Sequence, residues 1–274
     1  MLKLGYHVSI SGGISNAFDY SKEINCTTMQ IFIGSPRIWS VQKISTEEKN
    51  KFLIKSKNTK IEPVFVHMPY LPNLASPKED VYKKSVETLS IIVKECAALK
   101  IEYVVVHLGS GLGEGKEKAI DRVVNAVSSV KSEKNGVFVL LENQAGQKNS
   151  VGSTLEDLKE IYDKIHSSEV GFCIDTCHLF AAGYDVRKTE TAKLIDDKLG
   201  FENIKLIHLN DAKYELGSGR DRHECIGLGN IGIDGFKSFF SYKKFLGLNF
   251  ILETPHSSKE QELNELKTVR EILL

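Results

Sequence analysis

The chain has 274 residues, of which 41% are hydrophobic and 26% are charged, and its 36 Lys and Arg residues balance 36 Asp and Glu residues. This composition is typical of a globular protein and excludes a disordered, collagen-like or coiled-coil architecture. No apolar run reaches the roughly 18 residues of a membrane helix, and the N-terminus lacks the apolar segment of a secretory signal. We therefore expect a cytoplasmic protein that makes no membrane contact.

Charge and cysteine content restrict the function less strongly. A neutral chain is unusual for a nucleic-acid binder, unless many acidic residues are buried metal ligands that face an otherwise basic cleft. The five cysteines are odd in number and form no CxxC pair, which favours free, mostly buried thiols in a reduced compartment.

Short β-branched runs alternate with amphipathic stretches along the whole chain, which predicts alternating strands and helices. In chain order the predicted strands are Leu4–Val8, Thr28–Ile33, Pro63–His67, Tyr103–His107, Val137–Glu142, Gly171–Asp175, Lys205–His208 and Asn249–Glu253. The helices that follow them are Ile14–Ile24, Thr46–Lys57, Lys78–Leu99, Lys116–Val130, Thr154–Ile165, Thr189–Leu199, Gly235–Lys244 and Lys259–Leu273.

Eight strand-plus-helix units of about 34 residues predict a single α/β domain over residues 1–274, folded as a (β/α)8 TIM barrel. Several strands are continuous apolar runs, as expected for parallel strands buried on both faces. An open doubly wound sheet is the alternative, but the turn from Ser9 to Gly13 lacks the glycine-rich phosphate-binding fingerprint of that fold.

Ligand-type residues end six of the predicted strands, at intervals of 33 to 45 residues: His67, His107, Glu142, Asp175, His208 and Glu253. In a barrel these positions form a ring around the C-terminal mouth, where active sites lie. A single His or Glu at a strand end is more often a hydrogen-bonded structural residue. Six in phase would be costly to bury together unless they bound a cation, so the pattern predicts a metal site.

Two short motifs enlarge this predicted site. Asp175 and His178 are three residues apart across a strand end and its loop, and they could share a metal ion. Asp221 and His223 are two apart in a segment that, if extended, points both side chains the same way, although a solvated loop is the alternative. Five histidines and four carboxylates fit two or three ions of Zn, Mn or Fe. We expect Cys173 to pack within its strand and give Cys177 little weight as a ligand.

Clustered metal ions at an open barrel mouth suggest hydrolysis of a phosphate ester, because two ions can clamp the attacking and leaving oxygens while a bound water becomes hydroxide. The sequence offers no Ser-His-Asp set and no cysteine nucleophile signature that would compete with this interpretation.

Several motifs closely resemble those of endonuclease IV, the metal-dependent apurinic/apyrimidinic endonuclease family, and the likeness extends over the whole chain. The matching segments are the stretches 5–9 with 12–13, 37–39, 171–178, 207–213, 217–218, 221–223 and 229–232. The departures from the family pattern are Ser35, Pro72, Glu224 and Leu228, none of them a predicted ligand.

The resemblance implies a zinc enzyme that cuts DNA on the 5′ side of an abasic site by a metal-activated hydroxide, leaving 3′-OH and 5′-deoxyribose phosphate ends. It implies trimming of blocked 3′ ends as well, and we expect a monomer acting on double-stranded DNA.

The resemblance also implies three Zn²⁺ ions, with Mn²⁺ or Fe²⁺ possible at some positions. The implied ligands are the nine side chains found above, with Glu142 bridging two ions and also catalytic, and with His178, Asp221 and His223 on the third. Arg37, Tyr70 and Leu71 match the residues that enter the DNA minor groove.

Two alternatives remain open at this stage. One is a metal-dependent sugar isomerase or epimerase on the same barrel, which would not need Asp221, His223 or the loop residues Arg37, Tyr70 and Leu71. The other is a DNA-damage binding protein without catalysis, which would have no need for nine metal ligands.

Overall fold

The computed structural model describes residues 2–34, 39, 43–131 and 136–274. Arg37 and Ser35 lie outside the described residues. The main sheet has eight strands: β1 (Lys3–Tyr6), β2 (Met29–Phe32), β3 (Val64–His67), β4 (Tyr103–His107), β5 (Phe138–Glu142), β6 (Val170–Asp175), β7 (Ile204–His208) and β10 (Asn249–Leu252). Two short strands, β8 (Asp211–Ala212) and β9 (His223–Glu224), pair separately as an antiparallel ribbon.

The helices alternate with these strands. They are α1 (Asn16–Glu23), α2 (Thr46–Asn58), α3 (Glu79–Leu99), α4 (Lys116–Lys131), α5 (Leu155–Ile165), α6 (Thr176–Ala182), α7 (Thr189–Leu199), α8 (Gly232–Phe239) and α9 (Lys259–Leu273), with 3-10 turns at Phe201–Asn203 and Lys243–Gly247. None of the helices among the described residues is long and apolar enough to cross a membrane.

The eight strands of the main sheet run parallel in the order β1-β10-β7-β6-β5-β4-β3-β2, so the predicted (β/α)8 barrel is confirmed. The two end strands, β1 and β2, meet through a bridge between His7 and Gln30. There the N–H of Val8 donates to the Gln30 carbonyl at 2.8 Å. The chain order and the single direction of the strands place all eight carboxyl ends at one mouth.

Two helices differ from the sequence prediction. Helix α6 was not expected, because its seven residues are nearly all buried and show no amphipathic period. Helix α8 was expected over Gly235–Lys244 but occupies Gly232–Phe239. It begins early because the N–H groups of Ile231 and Gly232 find an acceptor in the distant side chain of Asp211, at 2.9 and 3.1 Å. The helix ends at Phe239, and the carbonyl of Ser238 in its last turn accepts a hydrogen bond from the Ser241 hydroxyl.

Two apolar regions form the core. The larger lies between the strands and the surrounding helices. The smaller fills the barrel interior and consists of one residue from each of six strands: Phe65, Val105, Leu140, Cys173, Leu206 and Ile251. Because side chains alternate along a strand, the residues two positions later point into the same interior, one layer nearer the mouth.

Gly5 permits the barrel to close between β1 and β2. A Cβ atom at this position would lie 1.8 Å from the carbonyl oxygen of Thr28, which belongs to the backbone and cannot swing aside. We expect Gly5→Ala to destabilise the protein by about 3 kcal/mol, the upper end of the usual cost of overpacking. Urea unfolding would measure this. Gly247→Ala is the matched control, because its Cβ would meet Phe201 at an ordinary 3.9 Å. Equal stability of the two variants would contradict this account of closure.

Candidate metal centre at the barrel mouth

The six strand-end residues predicted as ligands lie two positions beyond the six interior residues, so they form the next interior layer. They are His67, His107, Glu142, Asp175, His208 and Glu253. Four of them have no exposed surface at all: His67, Glu142, Asp175 and His208. The alternation of side chains in β3 to β7 and β10 therefore places a polar layer directly on an apolar floor.

Glu142 lies at the centre of this layer. One carboxylate oxygen, Oε2, is 3.1 Å from Nε2 of His67 and 3.1 Å from Nε2 of His107. The other, Oε1, is 3.0 Å from Nδ1 of His208. Burial alone would raise the pKa of Glu142, but the neighbouring His107 and His208 hold it well below its usual range. Glu142 is thus an ionised carboxylate that faces three imidazoles.

Asp175 and His178 are joined by the first turn of helix α6, not by a loop as the sequence suggested. The Asp175 side chain caps this helix by accepting a hydrogen bond from the His178 N–H at 2.8 Å. The cap places the imidazole beside the carboxylate layer. Burial lowers the pKa of His178, but Asp175 and Asp221 outweigh burial and raise it well above its ordinary value.

Asp221 and His223 approach from outside the barrel, on the segment that ends in β9. Nε2 of His178 lies 3.1 Å from Oδ1 of Asp221, and Nε2 of His223 lies 3.5 Å from the same oxygen. The pKa of Asp221 is raised by burial, but the charge of His178 outweighs this and lowers it. These three side chains form a second layer above Asp175, which is 3.5 Å from Nε2 of His223.

The nine predicted ligands fall into three groups, and within each group the donor atoms lie within 4.8 Å of one another. The groups are His67, His107 and Glu142; then Glu142, Asp175, His208 and Glu253; then His178, Asp221 and His223. Glu142 belongs to two of them. Nε2 of both His178 and His223 is buried and makes no hydrogen bond. Imidazole nitrogens that converge on carboxylates without bonding partners fit the donor set of a metal site.

Two cysteines lie close enough to join these groups, Cys173 with Glu142 and His208, and Cys177 with Asp175 and His223. Metal ligation requires a thiolate. Burial raises the pKa of Cys173 to about 12, and the Sγ–H of Cys177 lies 3.5 Å from the carbonyl of Arg222, to which it donates. Cys173 packs in the barrel interior, as its position within a strand predicted.

Tyr70 and Leu71 lie on the loop after β3, at the edge of the mouth. They are 62% and 41% exposed. The Tyr70 ring centre is 5.8 Å from that of His67 and 5.9 Å from that of His107. An exposed aromatic ring therefore stands directly beside the first group of candidate ligands. Arg37, the third predicted contact, lies outside the described residues.

Comparisons with known proteins agree with this fold. A family model described as "Xylose isomerase-like TIM barrel" matches residues 18–273. A protein of Cenarchaeum symbiosum named "Probable endonuclease 4" is 45% identical, over 98% of this chain and 99% of its own length. The crystal structure of endonuclease IV from Thermus thermophilus superimposes with a TM-score of 0.88 at 33% identity, over 99% of this chain and 98% of that one.

The chain belongs to the endonuclease IV family. Its fold is shared more widely: the crystal structure of a D-tagatose 3-epimerase-like protein covers 99% of this chain with a TM-score of 0.78, but at 22% identity. That likeness concerns the fold alone. The family assignment rests instead on the relatives that are 33% and 45% identical over nearly the whole chain.

Sequence reasoning missed Asp211 as a functional position in this endonuclease IV family member. Its buried carboxylate accepts hydrogen bonds from five backbone N–H groups at 2.8 to 3.1 Å, those of Ala212, Gly227, Gly229, Ile231 and Gly232. It thereby anchors the segment that follows His223 and the start of α8. The available signal was its place within the family motif at 207–213, but its partners are up to 21 residues away.

We expect Asp211→Asn to destabilise the protein by about 1–3 kcal/mol, because an amide nitrogen in place of either oxygen leaves at least two backbone N–H groups without their acceptor. The loosened segment should also weaken metal retention by the group of His178, Asp221 and His223. Thermal unfolding and metal analysis would measure the two effects. Asp234→Asn, at an exposed position of α8, is the control. Unchanged stability in the Asp211 variant would contradict the anchoring role.

Proposed function

We propose that this protein is a metal-dependent apurinic/apyrimidinic endonuclease that cleaves the phosphodiester bond on the 5′ side of an abasic site in double-stranded DNA. Cleavage would leave 3′-OH and 5′-deoxyribose phosphate ends, and the same site would trim blocked 3′ ends. The single observation that carries this proposal is the convergence of nine imidazole and carboxylate side chains at the mouth of the barrel. Family membership supports it, since the relatives are named for an endonuclease.

The three groups of side chains would hold three Zn²⁺ ions, with Mn²⁺ or Fe²⁺ as substitutes at some positions. Mixed imidazole and carboxylate donors suit all of these metals. Glu142 would serve two ions, because each of its oxygens faces a different set of imidazoles. When bound, the ions would supply Lewis-acid polarisation of the phosphate and a water of lowered pKa.

The candidate ligands differ in how far their side chains are exposed to solvent. The side chains of His67, His208 and Glu142 have no exposed surface, so they belong to the floor of the site. The side chain of Asp221 is 33% exposed and that of His223 is 16% exposed. The group of His178, Asp221 and His223 is therefore the most open one, and it would be the first to meet a phosphate that enters from solvent.

Basic residues beside this open group would bind the DNA backbone. A cavity of about 460 Å³ is lined by Gln147, Tyr214, Arg220, Asp221 and Arg222. A second one of about 350 Å³ shares Gln147 and includes Lys148, Tyr70, Leu71 and His107. If metal neutralises the four carboxylate ligands, the remaining charge at the mouth is basic, which suits an anionic polymer although the chain as a whole is neutral.

Tyr70 and Leu71 would enter the minor groove at the lesion and take the place of the missing base. An exposed aromatic ring and an apolar side chain next to the reaction centre are suited to separate stacked bases. Arg37 stays part of this proposal on its resemblance to the family. We propose that the protein acts as a monomer. Its five free thiols suit the reduced cytoplasm, where DNA is also found.

No observation favours the sugar isomerase alternative over this function. A small neutral sugar would need neither the outer group of His178, Asp221 and His223 nor exposed apolar side chains at the rim. The likeness to sugar epimerases is one of fold at low identity. A binding protein without catalysis has no use for three groups of metal donors.

The role of Glu142 can be tested by substitution. We expect Glu142→Gln to remain folded but to lose at least 100-fold in nicking rate, because the variant loses one negative charge and one of the two oxygens that would serve the ions. The assay is nicking of a labelled abasic duplex, together with the metal content of the purified protein. Glu102→Gln, at an exposed position at the start of β4, serves as the control. Nicking at the wild-type rate by the Glu142 variant would refute the assignment of the metal centre.

Recognition of the lesion can be separated from the chemistry. We expect Tyr70→Ala to lose roughly 10- to 100-fold in affinity for an abasic duplex, because stacking contacts contribute about 1–3 kcal/mol. Metal content should be unchanged, and affinity for an intact duplex should change much less. Tyr70→Phe is the matched control, since it keeps the aromatic ring and should retain the preference for the abasic duplex over the intact one. If Tyr70→Ala binds and cuts like the wild type, this loop does not recognise the lesion.

A further inference from the structure

Strands β1 and β2 supply no candidate metal ligand, yet both place a polar side chain in the same interior layer. These side chains are His7, just after β1, and Gln30 in β2. Gln30 has no exposed surface. A carboxamide buried in a barrel needs partners for its oxygen and its nitrogen, and here those partners belong to the metal centre.

The two ends of the Gln30 side chain contact two different candidate ligands. Its oxygen, Oε1, lies 2.9 Å from Nε2 of His208. Its nitrogen lies 2.7 Å from Oε1 of Glu253 and 2.9 Å from Nδ1 of His7. An ionised carboxylate can only accept, so the Gln30 nitrogen must face Glu253 and the Gln30 oxygen must face His208.

This arrangement fixes the tautomer of His208. Because the Gln30 oxygen can only accept, Nε2 of His208 must carry the proton and donate it. Nδ1, which in this structure is within hydrogen-bonding distance of Glu142, is then the ring nitrogen that would give up its proton to bind metal. That atom lies 3.0 Å from Oε1 of Glu142 and 3.4 Å from Oε2 of Glu253, inside the group of donors.

The same contact gives the two oxygens of Glu253 different partners. Its Oε1 accepts a hydrogen bond from Gln30 and lies 2.9 Å from Nδ1 of His7. This leaves Oε2 to face Nδ1 of His208. Each of the two ligands therefore has one atom bound to Gln30 and one atom directed at the metal position.

Three other imidazoles of the centre are held by main-chain carbonyls. Nδ1 of His67 donates to Met68 O at 2.6 Å, Nδ1 of His178 to Asn143 O at 2.9 Å, and Nδ1 of His223 to Glu253 O at 3.1 Å. All three present Nε2 to the centre. The His208 ring has the opposite orientation and presents Nδ1 to the centre. Its Nε2 contacts the Gln30 side chain, which a substitution can remove.

We propose that Gln30 is a positioning residue of the metal centre: it holds His208 in the Nε2-protonated form and directs one oxygen of Glu253 toward the shared ion. The inference rests on the proposed function, which makes His208 and Glu253 ligands. Partners that orient metal-bound histidines and carboxylates commonly change metal affinity 10- to 100-fold when removed. Gln30 would therefore act on metal binding without touching the metal or the DNA.

The first test measures zinc release to a competing chelator from the purified protein, with no DNA present. We expect Gln30→Met, which keeps the volume but loses the carboxamide, to bind its weakest zinc ion about 10- to 100-fold less tightly than the wild type. Thr28→Val is the matched control: it lies two residues earlier on the same face, and it loses a buried hydrogen bond of 2.5 Å to Pro63 O, away from the centre. Its zinc affinity should be unchanged.

A second test observes the tautomer directly, by imidazole ¹⁵N NMR on zinc-loaded protein, with the His208 signal assigned by its absence in His208→Gln. We expect Nε2 protonated and Nδ1 bound to metal. In Gln30→Glu, an oxygen still accepts from His208 but a carboxylate faces Glu253, so the tautomer should persist while zinc affinity falls.

The outcomes separate this inference from the proposed function. If the wild type binds no zinc or fails to nick an abasic duplex, the proposed function fails, and the role of Gln30 fails with it. If the wild type binds zinc and nicks, but Gln30→Met retains zinc as well as the wild type, Gln30 has no positioning role. Nδ1-protonated His208, or equal zinc loss in Thr28→Val, would overturn it too.

Discussion

An ionised carboxylate without exposed surface is stable only where positive charge or hydrogen-bond donors surround it. Glu142 meets this condition through imidazoles that come from β3, β4 and β7, each 3.0 or 3.1 Å from one of its oxygens. The strands that carry these residues are far apart in sequence and adjacent or opposite in the barrel. A slip of one residue in any of them would turn its side chain out of the interior. The register of the sheet and the composition of the site therefore depend on each other.

The strands and the candidate ligands at their ends could be predicted from the sequence because both follow simple periods. The apolar strands recur at the spacing of βα units. The polar residue at each strand end lies two positions after an interior residue, so its side chain points into the barrel as well. Tyr103–His107, Thr189–Leu199 and Lys259–Leu273 were predicted with the bounds that the structure has. The other strand boundaries moved by one or two residues, as expected where no residue marks the end of a ladder.

Of the features that escaped prediction, the start of α8 and the contacts of Gln30 depend on partners remote in sequence, whereas α6 begins at a local cap. Helix α6 begins at a cap supplied by Asp175, and α8 begins where the side chain of Asp211 reaches its N–H groups. In the sequence, Gln30 is an ordinary polar residue between Met29 and Ile31. Its neighbours His208 and Glu253 are more than 170 residues away, and only the closed barrel brings them to one amide.

Of the outer candidate ligands, His223 lies on a short ribbon that is not part of the barrel, and Asp221 lies two residues before it. The ribbon of β8 with β9 is tied to the neighbouring segment by the Asp211 carboxylate and by hydrogen bonds from Asn230 to the carbonyls of Ala212 and Lys213. The floor of the site, in contrast, is built into the strands themselves. Loops at this end of a barrel tolerate insertion and exchange because few core contacts cross them. A change in the rim therefore need not disturb the floor.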